Sequence, residues 1–166
     1  MRCFVVMGVS GCGKSSVGQA VSDACDIAFV DGDDLHPPAN IAKMASGAPL
    51  NDDDRAPWLA DVGQALAKAE GPVVIACSAL KRVYRDKIRS NAGETVHFLH
   101  LHAPQAVLAK RVKEREGHFM PPSLLESQYA TLEHLGNDET GNVIDISQPL
   151  NAVTGEAAEI VRKALV

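Results

Sequence analysis

Gly8-Val9-Ser10-Gly11-Cys12-Gly13-Lys14-Ser15 fits the pattern G-x-x-x-x-G-K-[ST], and each fixed position has a physical role. Glycines let the backbone curl so that successive N–H groups point inward at phosphate oxygens. A lysine at position 14 reaches β- and γ-phosphates, and a serine hydroxyl at position 15 holds Mg²⁺. The residues on either side agree. Cys3-Phe4-Val5-Val6-Met7 is a short apolar run suited to a buried parallel strand. From Ser15 onward, Val17, Ala20, Val21 and Ala24 recur at helical spacing. A helix that begins at the loop adds the partial positive charge of its N-terminus to the phosphate site. The octet alone implies a nucleoside triphosphate and does not separate kinase, GTPase and ATPase.

Working outward, strand and helix signals alternate along the chain. Ile27–Val30, Val73–Cys77, Val96–Leu101 and Val143–Ile146 read as further strands. Helices are expected over Ala39–Ala45, Pro57–Glu70, Lys81–Ser90, Pro104–Glu114 and Ser123–Leu135, and in a final segment N-capped by Thr154 and ending at Leu165. Gly47 to Asp54 reads as a polar turn region and Glu116–Pro122 as a loop. Five strands separated by helices predict an α/β, three-layer P-loop fold: a five-stranded parallel sheet with helices on both faces and a small lid at about 112–125. The 166 residues suit one domain spanning 1–166, with no repeat or linker that would mark a second. Ligands of such sheets bind beyond the carboxyl ends of the strands. That rule selects Gly8–Ser15, Asp31–His36, Ser78–Arg85, Ala103 and Ser147–Asn151.

Composition narrows the function classes. With 46% apolar residues the chain reads as globular, and no apolar run approaches the ~20 residues that span a membrane. The polar loop from Gly8 to Lys14 interrupts the N-terminal apolar stretch where a signal peptide needs its cleavage region, so a cytoplasmic location is expected. The four cysteines (Cys3, Cys12, Cys25, Cys77) lack metal-ligand spacing and read as buried, reduced thiols. A net charge of −5 argues against a nucleic-acid partner. Yet nine of the sixteen Lys and Arg residues fall within Lys81–Arg89 and Lys110–Arg115. Two such clusters fit either a local anionic ligand or two solvated helix faces.

Several stretches carry chemistry. Asp31-Gly32-Asp33-Asp34-Leu35-His36 follows the second strand, and three close carboxylates repel unless a cation or donors are present. Beside a P-loop that cation is Mg²⁺, and one carboxylate can accept a proton from a substrate hydroxyl. The bland alternative is an acidic turn that caps the next helix. Asn51-Asp52-Asp53-Asp54-Arg55-Ala56-Pro57-Trp58 reads as a helix start with an aspartate N-cap and Pro57 in the first turn. On chemistry alone Arg55 pairs with those aspartates. The third strand ends in Cys77-Ser78 rather than an acidic residue, so Asp31 becomes the natural metal carboxylate. Arg111 to Pro121 (RVKEREGHFMP) has a charged helix end, then glycine, then proline, which suits a segment closing over phosphates or an ordinary surface loop with i,i+4 ion pairs. His97, His100 and His102 crowd the fourth strand. They are expected on one sheet face, packed or capped rather than ligating metal.

Taken together, Gly8–Ser15, Asp31-Gly32-Asp33-Asp34-Leu35-His36-Pro37, Leu50-Asn51-Asp52-Asp53-Asp54-Arg55-x-Pro57-Trp58-Leu59, Ser78-Ala79-Leu80-Lys81-Arg82-x-Tyr84-Arg85-Asp86 and Arg115-x-Gly117-His118-Phe119-Met120 resemble the gluconokinase signature set. The order and spacing match across nearly the whole chain. The resemblance implies ATP-dependent phosphorylation of D-gluconate at its 6-hydroxyl, a nucleoside-monophosphate-kinase-like fold and a homodimer, with no nucleic-acid or membrane partner. It also implies roles. Gly8, Ser10, Gly11, Cys12, Gly13, Lys14, Ser15, Ser16, Arg111 and Pro149 would bind ATP, with Pro149 in the Ser147–Asn151 loop that borders adenine. Ser15 and Asp31 would hold Mg²⁺. Lys14, Asp33 and Arg115 would be catalytic, Asp33 taking the proton of the acceptor hydroxyl. Asp33, His36, Arg55, Lys81, Arg85 and His118 would contact gluconate, which overrides the pairing role read for Arg55.

Other readings compete. Shikimate and adenylylsulfate kinases share the P-loop and sheet, but the HFMP-type lid and the DDDRxPWL block favour gluconate. A GTP-binding switch would need a guanine motif N-K-x-D, which the chain lacks, although Asp138-Glu139-Thr140-Gly141 happens to match D-x-x-G. A silent ATP-binding regulator is disfavoured by intact Lys14, Ser15, Asp31 and Asp33.

Overall fold

In the computed structural model, which describes residues 1–114 and 121–165, five strands form one parallel sheet. They are β1 (Cys3–Met7), β2 (Ala28–Asp31), β3 (Val73–Ala76), β4 (Val96–His102) and β5 (Gly141–Asp145), in the order β2-β3-β1-β4-β5. The helices are α1 (Lys14–Cys25), α2 (Pro38–Ala45), α3 (Asp52–Lys68), α4 (Arg82–Ala92), α5 (Gln105–Glu114), α6 (Pro122–Thr131) and α7 (Leu150–Leu165). A 3-10 turn over Gly32–Leu35 follows β2.

Period-2 geometry sorts the strand residues between two cores. Phe4, Val6, Val74, Leu99 and Leu101 face α1 and α7, packing on Val17, Val21, Ala157 and Val161. Cys3, Val5, Met7, Ile75 and Phe98 face α3 and α4, packing on Leu59, Val62, Leu66 and Ile88. Central strand β1 is wholly buried, all five residues at 0% exposure. That explains its continuous apolar run, since both of its faces are covered. Three cysteines are buried, but Cys25 is only partly so.

Helix boundaries depart from the sequence reading at three places. Helix α3 starts five residues before Pro57. Its N-cap is Asn51 rather than an aspartate: the Asn51 side chain accepts the Asp54 N–H at 2.8 Å, and Asp54 Oδ2 accepts the Asn51 N–H at 2.9 Å. This reciprocal cap is strong enough to start the helix and leave Pro57 inside it, where proline has no N–H for the Asp53 carbonyl. Helix α7 starts at Leu150, because the Pro149 carbonyl accepts the N–H groups of Ala152 and Val153. Thr154 is therefore not a cap; its hydroxyl bonds back to the Asn151 carbonyl at 3.1 Å. Helix α6 ends at Thr131, and Leu132 turns extended so that the Glu133 N–H meets the Leu80 carbonyl at 2.8 Å.

The strand histidines do not share a face. His97 lies against Phe4, and its Nε2 meets Asn142 Oδ1 at 2.7 Å. His100 and His102 point to the opposite side, with ring centroids 5.2 Å apart and both near His134, at 5.5 and 4.8 Å. His100 is fully buried, and among the described residues neither ring nitrogen has a partner. Burial pushes its pKa down to about 4, helped by His102, His134 and Arg85; burial also lowers His102, with His134 acting the same way and Asp145 opposing. A histidine whose folded pKa lies below its unfolded value stabilises the fold least when acid charges the unfolded chain. Stability is therefore full above pH 6.5 and falls as pH drops towards 4. Urea titrations are expected to show a loss of about 2 kcal/mol between pH 6.5 and 4.5. The variant His100→Leu should flatten that limb, and an unchanged limb would contradict the assignment.

Candidate active site

The loop from Gly8 to Lys14 joins the tip of β1 to α1. Gly8 has φ 150°, and a Cβ there would stand 2.7 Å from Cys12 Sγ and 2.8 Å from the Leu101 carbonyl oxygen. Only glycine fits that approach. Gly13 caps α1 at φ 93°, in the left-handed region that glycine enters freely. The Lys14 ammonium donates to the Val9 carbonyl at 3.1 Å, folded along the loop a phosphate would fill. Ser10 is fixed from a distance: its N–H donates to Gln128 Oε1 at 2.6 Å, and Gln128 Nε2 donates to its hydroxyl at 2.8 Å. Cys12 is buried, which raises its pKa against the opposing charge of Lys14 and keeps it a thiol. Ser15 and Ser16 are exposed at the start of α1.

Strand β2 ends beside this loop. The Ser15 hydroxyl donates to Asp31 Oδ2 at 3.0 Å, and the other oxygen of Asp31 accepts the Asp33 N–H at 3.0 Å. Asp31 thus caps the 3-10 turn that presents an exposed Asp33. A serine hydroxyl and a carboxylate side by side are hard oxygen donors, which fits Mg²⁺.

Past Asp33, α2 and α3 build a wall. Trp58 Nε1 donates to the Gly32 carbonyl at 2.8 Å and ties α3 to the turn. His36 stacks on Trp58 with ring centroids 4.1 Å apart. Buried Asn40 meets His36 Nδ1 at 3.2 Å and donates to the Asp54 carbonyl at 2.9 Å. Burial lowers the His36 pKa, Asp33 opposes and Arg55 adds to it, so the ring is neutral at pH 7. Lys81 precedes α4 and lies 3.3 Å from Asp52 Oδ2. Arg55 Nη1 lies 3.7 Å from Asp52 Oδ1 and donates to the Tyr84 hydroxyl at 3.3 Å. The aspartate pairing read from chemistry is present, and the side chain still borders the wall.

Arg85 is a correction. Its side chain is 0% exposed and its fork clasps Glu139, itself 1% exposed, at 2.7 and 3.0 Å. It also donates to the carbonyls of Ala79 and Leu80. Every guanidinium nitrogen is engaged inside the protein, so none is left for a substrate. Burial raises the Glu139 carboxyl, but hydrogen bonds from Arg85, the Gly136 N–H and Arg89 outweigh it and hold it at about 2. Arg82 pairs with Asp138 and Arg89 with Asp86 and Glu139, so most of the first basic cluster is structural.

A cavity of about 370 Å³ opens beside the loop, lined by residues including Gly11, Gly13, Arg111, Gln148, Leu150 and Val153. Its apolar floor and the Arg111 fork, which reaches the Gln148 carbonyl at 3.4 Å, suit a nucleotide base. Pro149 itself faces solvent and works through its carbonyl as the α7 cap. Arg115 and His118 lie outside the described residues, as does the centre of the expected lid. Sequence reasoning missed Gln128, Asn40, Trp58, Tyr84 and Asp52 as site builders. Trp58 and Tyr84 appear in the sequence only within the quoted blocks, with no sign of their partners, and Gln128 carries no local signal because its partner is 118 residues away.

With the geometry in hand, comparison with known proteins is direct. A family model described as an AAA domain matches residues 4–135. The thermoresistant gluconokinase of Escherichia coli K12 is 45% identical over 164 residues, covering 96% of this chain and 93% of that protein. The gluconokinase of Gluconobacter oxydans 621H is 50% identical over 141 residues, covering 83% and 79%. The crystal structure of a gluconokinase from Sinorhizobium meliloti 1021 superposes with TM-score 0.90 at 50% identity, covering 99% of this chain and 93% of the other.

Removing one partner of the buried pair strands the other charge. The variant Arg85→Met is expected to lose about 3 kcal/mol of unfolding free energy in a urea titration, Arg89 retaining part of the contact. An unchanged midpoint and slope would contradict the structural role.

Proposed function

The chain belongs to the gluconokinase family, and from that membership we propose how its residues carry out the ATP-dependent phosphorylation of D-gluconate, at the 6-hydroxyl, to 6-phospho-D-gluconate and ADP. The observation that carries the proposal is the 3.0 Å contact between Ser15 of the phosphate loop and Asp31. It ties the end of the loop to Asp31, whose other oxygen holds the N–H of Asp33 two residues on.

Phosphoryl transfer asks for positioning and charge neutralisation more than covalent help. Backbone N–H groups of Gly11, Gly13 and Lys14 at the α1 N-terminus take the β- and γ-phosphates, and Lys14 exchanges the Val9 carbonyl for a phosphate oxygen. Arg111, Gln148 and Leu150 border the base. Ser15 and Asp31 would hold Mg²⁺ with help from water and the phosphates. When bound, that ion neutralises charge on the β- and γ-oxygens. Asp33, free of ion pairs among the described residues, accepts the proton of the gluconate hydroxyl as its oxygen bonds to the γ-phosphorus. The bond from that phosphorus to the β,γ-bridging oxygen breaks, and ADP leaves. Arg55, Lys81 and neutral His36 face the acceptor, the two cations matching its carboxylate.

Family resemblance supports a cytoplasmic homodimer of one kinase domain per chain. No helix among the described residues is long and apolar enough to cross a membrane. The test is ADP release with MgATP and gluconate. Wild type is expected to turn over. Asp33→Asn should cut kcat by about 10²–10⁴-fold while calorimetric ATP affinity holds. Unchanged turnover in that variant would remove Asp33 from the base role.

A further inference from the structure

Three donors from two helix starts converge on one carboxylate. The Tyr84 hydroxyl donates to Asp52 Oδ1 at 2.5 Å, and Lys81 Nζ stands 3.3 Å from Oδ2. Arg55 Nη1 stands 3.7 Å from Oδ1. Arg55 and Lys81 also lie over the Tyr84 ring, at 5.6 and 5.5 Å from its centroid, so the phenol holds both cations to one spot. This spot lies at the phosphate-bearing edge of the sheet. The Gly8 N–H donates to the Ser78 carbonyl three residues before Lys81, and Trp58 ties α3 to the Asp33 turn.

Asp52 stands in the first turn of α3, where its charge suits the helix end as the charge of Asp53 does, but it is not the cap. The α3 cap uses Asn51 and Asp54, and the Asp52 side chain is 58% exposed. What it satisfies is the donor set. Two cations and a phenol O–H around one exposed carboxylate form a receptor for a carboxylate, and an aspartate of the chain occupies it.

We propose that Asp52 is an internal occupant of the subsite that receives the carboxylate of the acceptor. Its carboxylate keeps Arg55, Lys81 and Tyr84 assembled and gives way when a sugar acid presents its own. Tyr84 is thereby a positioning residue that orients both cations. A neutral polyol has nothing to exchange for Asp52 and meets a closed subsite, so the swap itself favours acids. The inference rests on the gluconate reading above.

The test is steady-state kinetics of the full chain with MgATP and varied gluconate. Asp52→Asn removes the competing charge, and KM for gluconate is expected to fall about 3- to 10-fold, the range of exposed to charge-assisted contacts, with kcat moving less than KM. Sodium acetate should inhibit this variant competitively and at lower concentration than wild type. Asp53→Asn removes an equal charge one residue away, outside the donor set, and should leave KM unchanged. Tyr84→Phe should raise KM for gluconate with little effect on KM for ATP. A gluconate KM that is unchanged or raised in Asp52→Asn, with its melting temperature retained, overturns the proposal. An equal drop in Asp53→Asn also overturns it, as a general charge effect. A wild-type chain that turns over other acceptors but not gluconate instead sinks the substrate reading on which it stands.

Discussion

A strand buried on both faces can do chemistry only at its ends. Strand β1 sits at the centre of the sheet with every residue at 0% exposure, so the chain must place its polar groups where β1 stops. There Gly8 slips past the Leu101 carbonyl at a distance no side chain permits, and the loop leads through Gly13 into α1. Parallel topology then brings the ends of the neighbouring strands to the same edge. Strand β2 delivers Asp31 and Asp33, and β3 delivers the segment leading to Lys81. The site follows from burying the sheet.

Charge is divided with the same economy. The chain is acidic overall, yet its cleft needs cations. Arg82, Arg85 and Arg89 are committed to Asp138, Asp86 and Glu139, where they fasten α4 to the segment before β5. Lys14, Arg55, Lys81 and Arg111 border the cleft, held among the described residues by exchangeable partners: a carbonyl, an exposed aspartate or a phenol. Buried pairs are expensive to break, whereas exposed ones exchange readily with a ligand. Burial sets Arg85 apart as structural, whereas Arg82, its side chain 42% exposed, is committed by a two-pronged pair with Asp138.

That division explains what the sequence could and could not convey. The five strands, their parallel sense and the phosphate loop were legible because apolar runs, alternating helices and glycine spacing are local signals. So was Asp31, as the carboxylate following a strand. Arg85 was misread because it sits one turn from Lys81 in an apparently uniform basic run, while its partner Glu139 is 54 residues away. Pro57 suggested a helix start because proline favours first turns, but the Asn51–Asp54 cap overrode it. His97 was grouped with His100 and His102 although its odd spacing sends it to the other face, a parity that the sequence does contain.

On the proposed function, the edge beyond β1, β2 and β3 joins a nucleotide site to a receptor for a sugar acid. The most direct measurement is kcat/KM with MgATP for D-gluconate against D-glucose and D-sorbitol, which present similar hydroxyls without the carboxylate. The account predicts turnover of gluconate with the neutral acceptors reduced by at least about 10²-fold, as expected when paired cations are left without their anion. Comparable turnover of all three would contradict it.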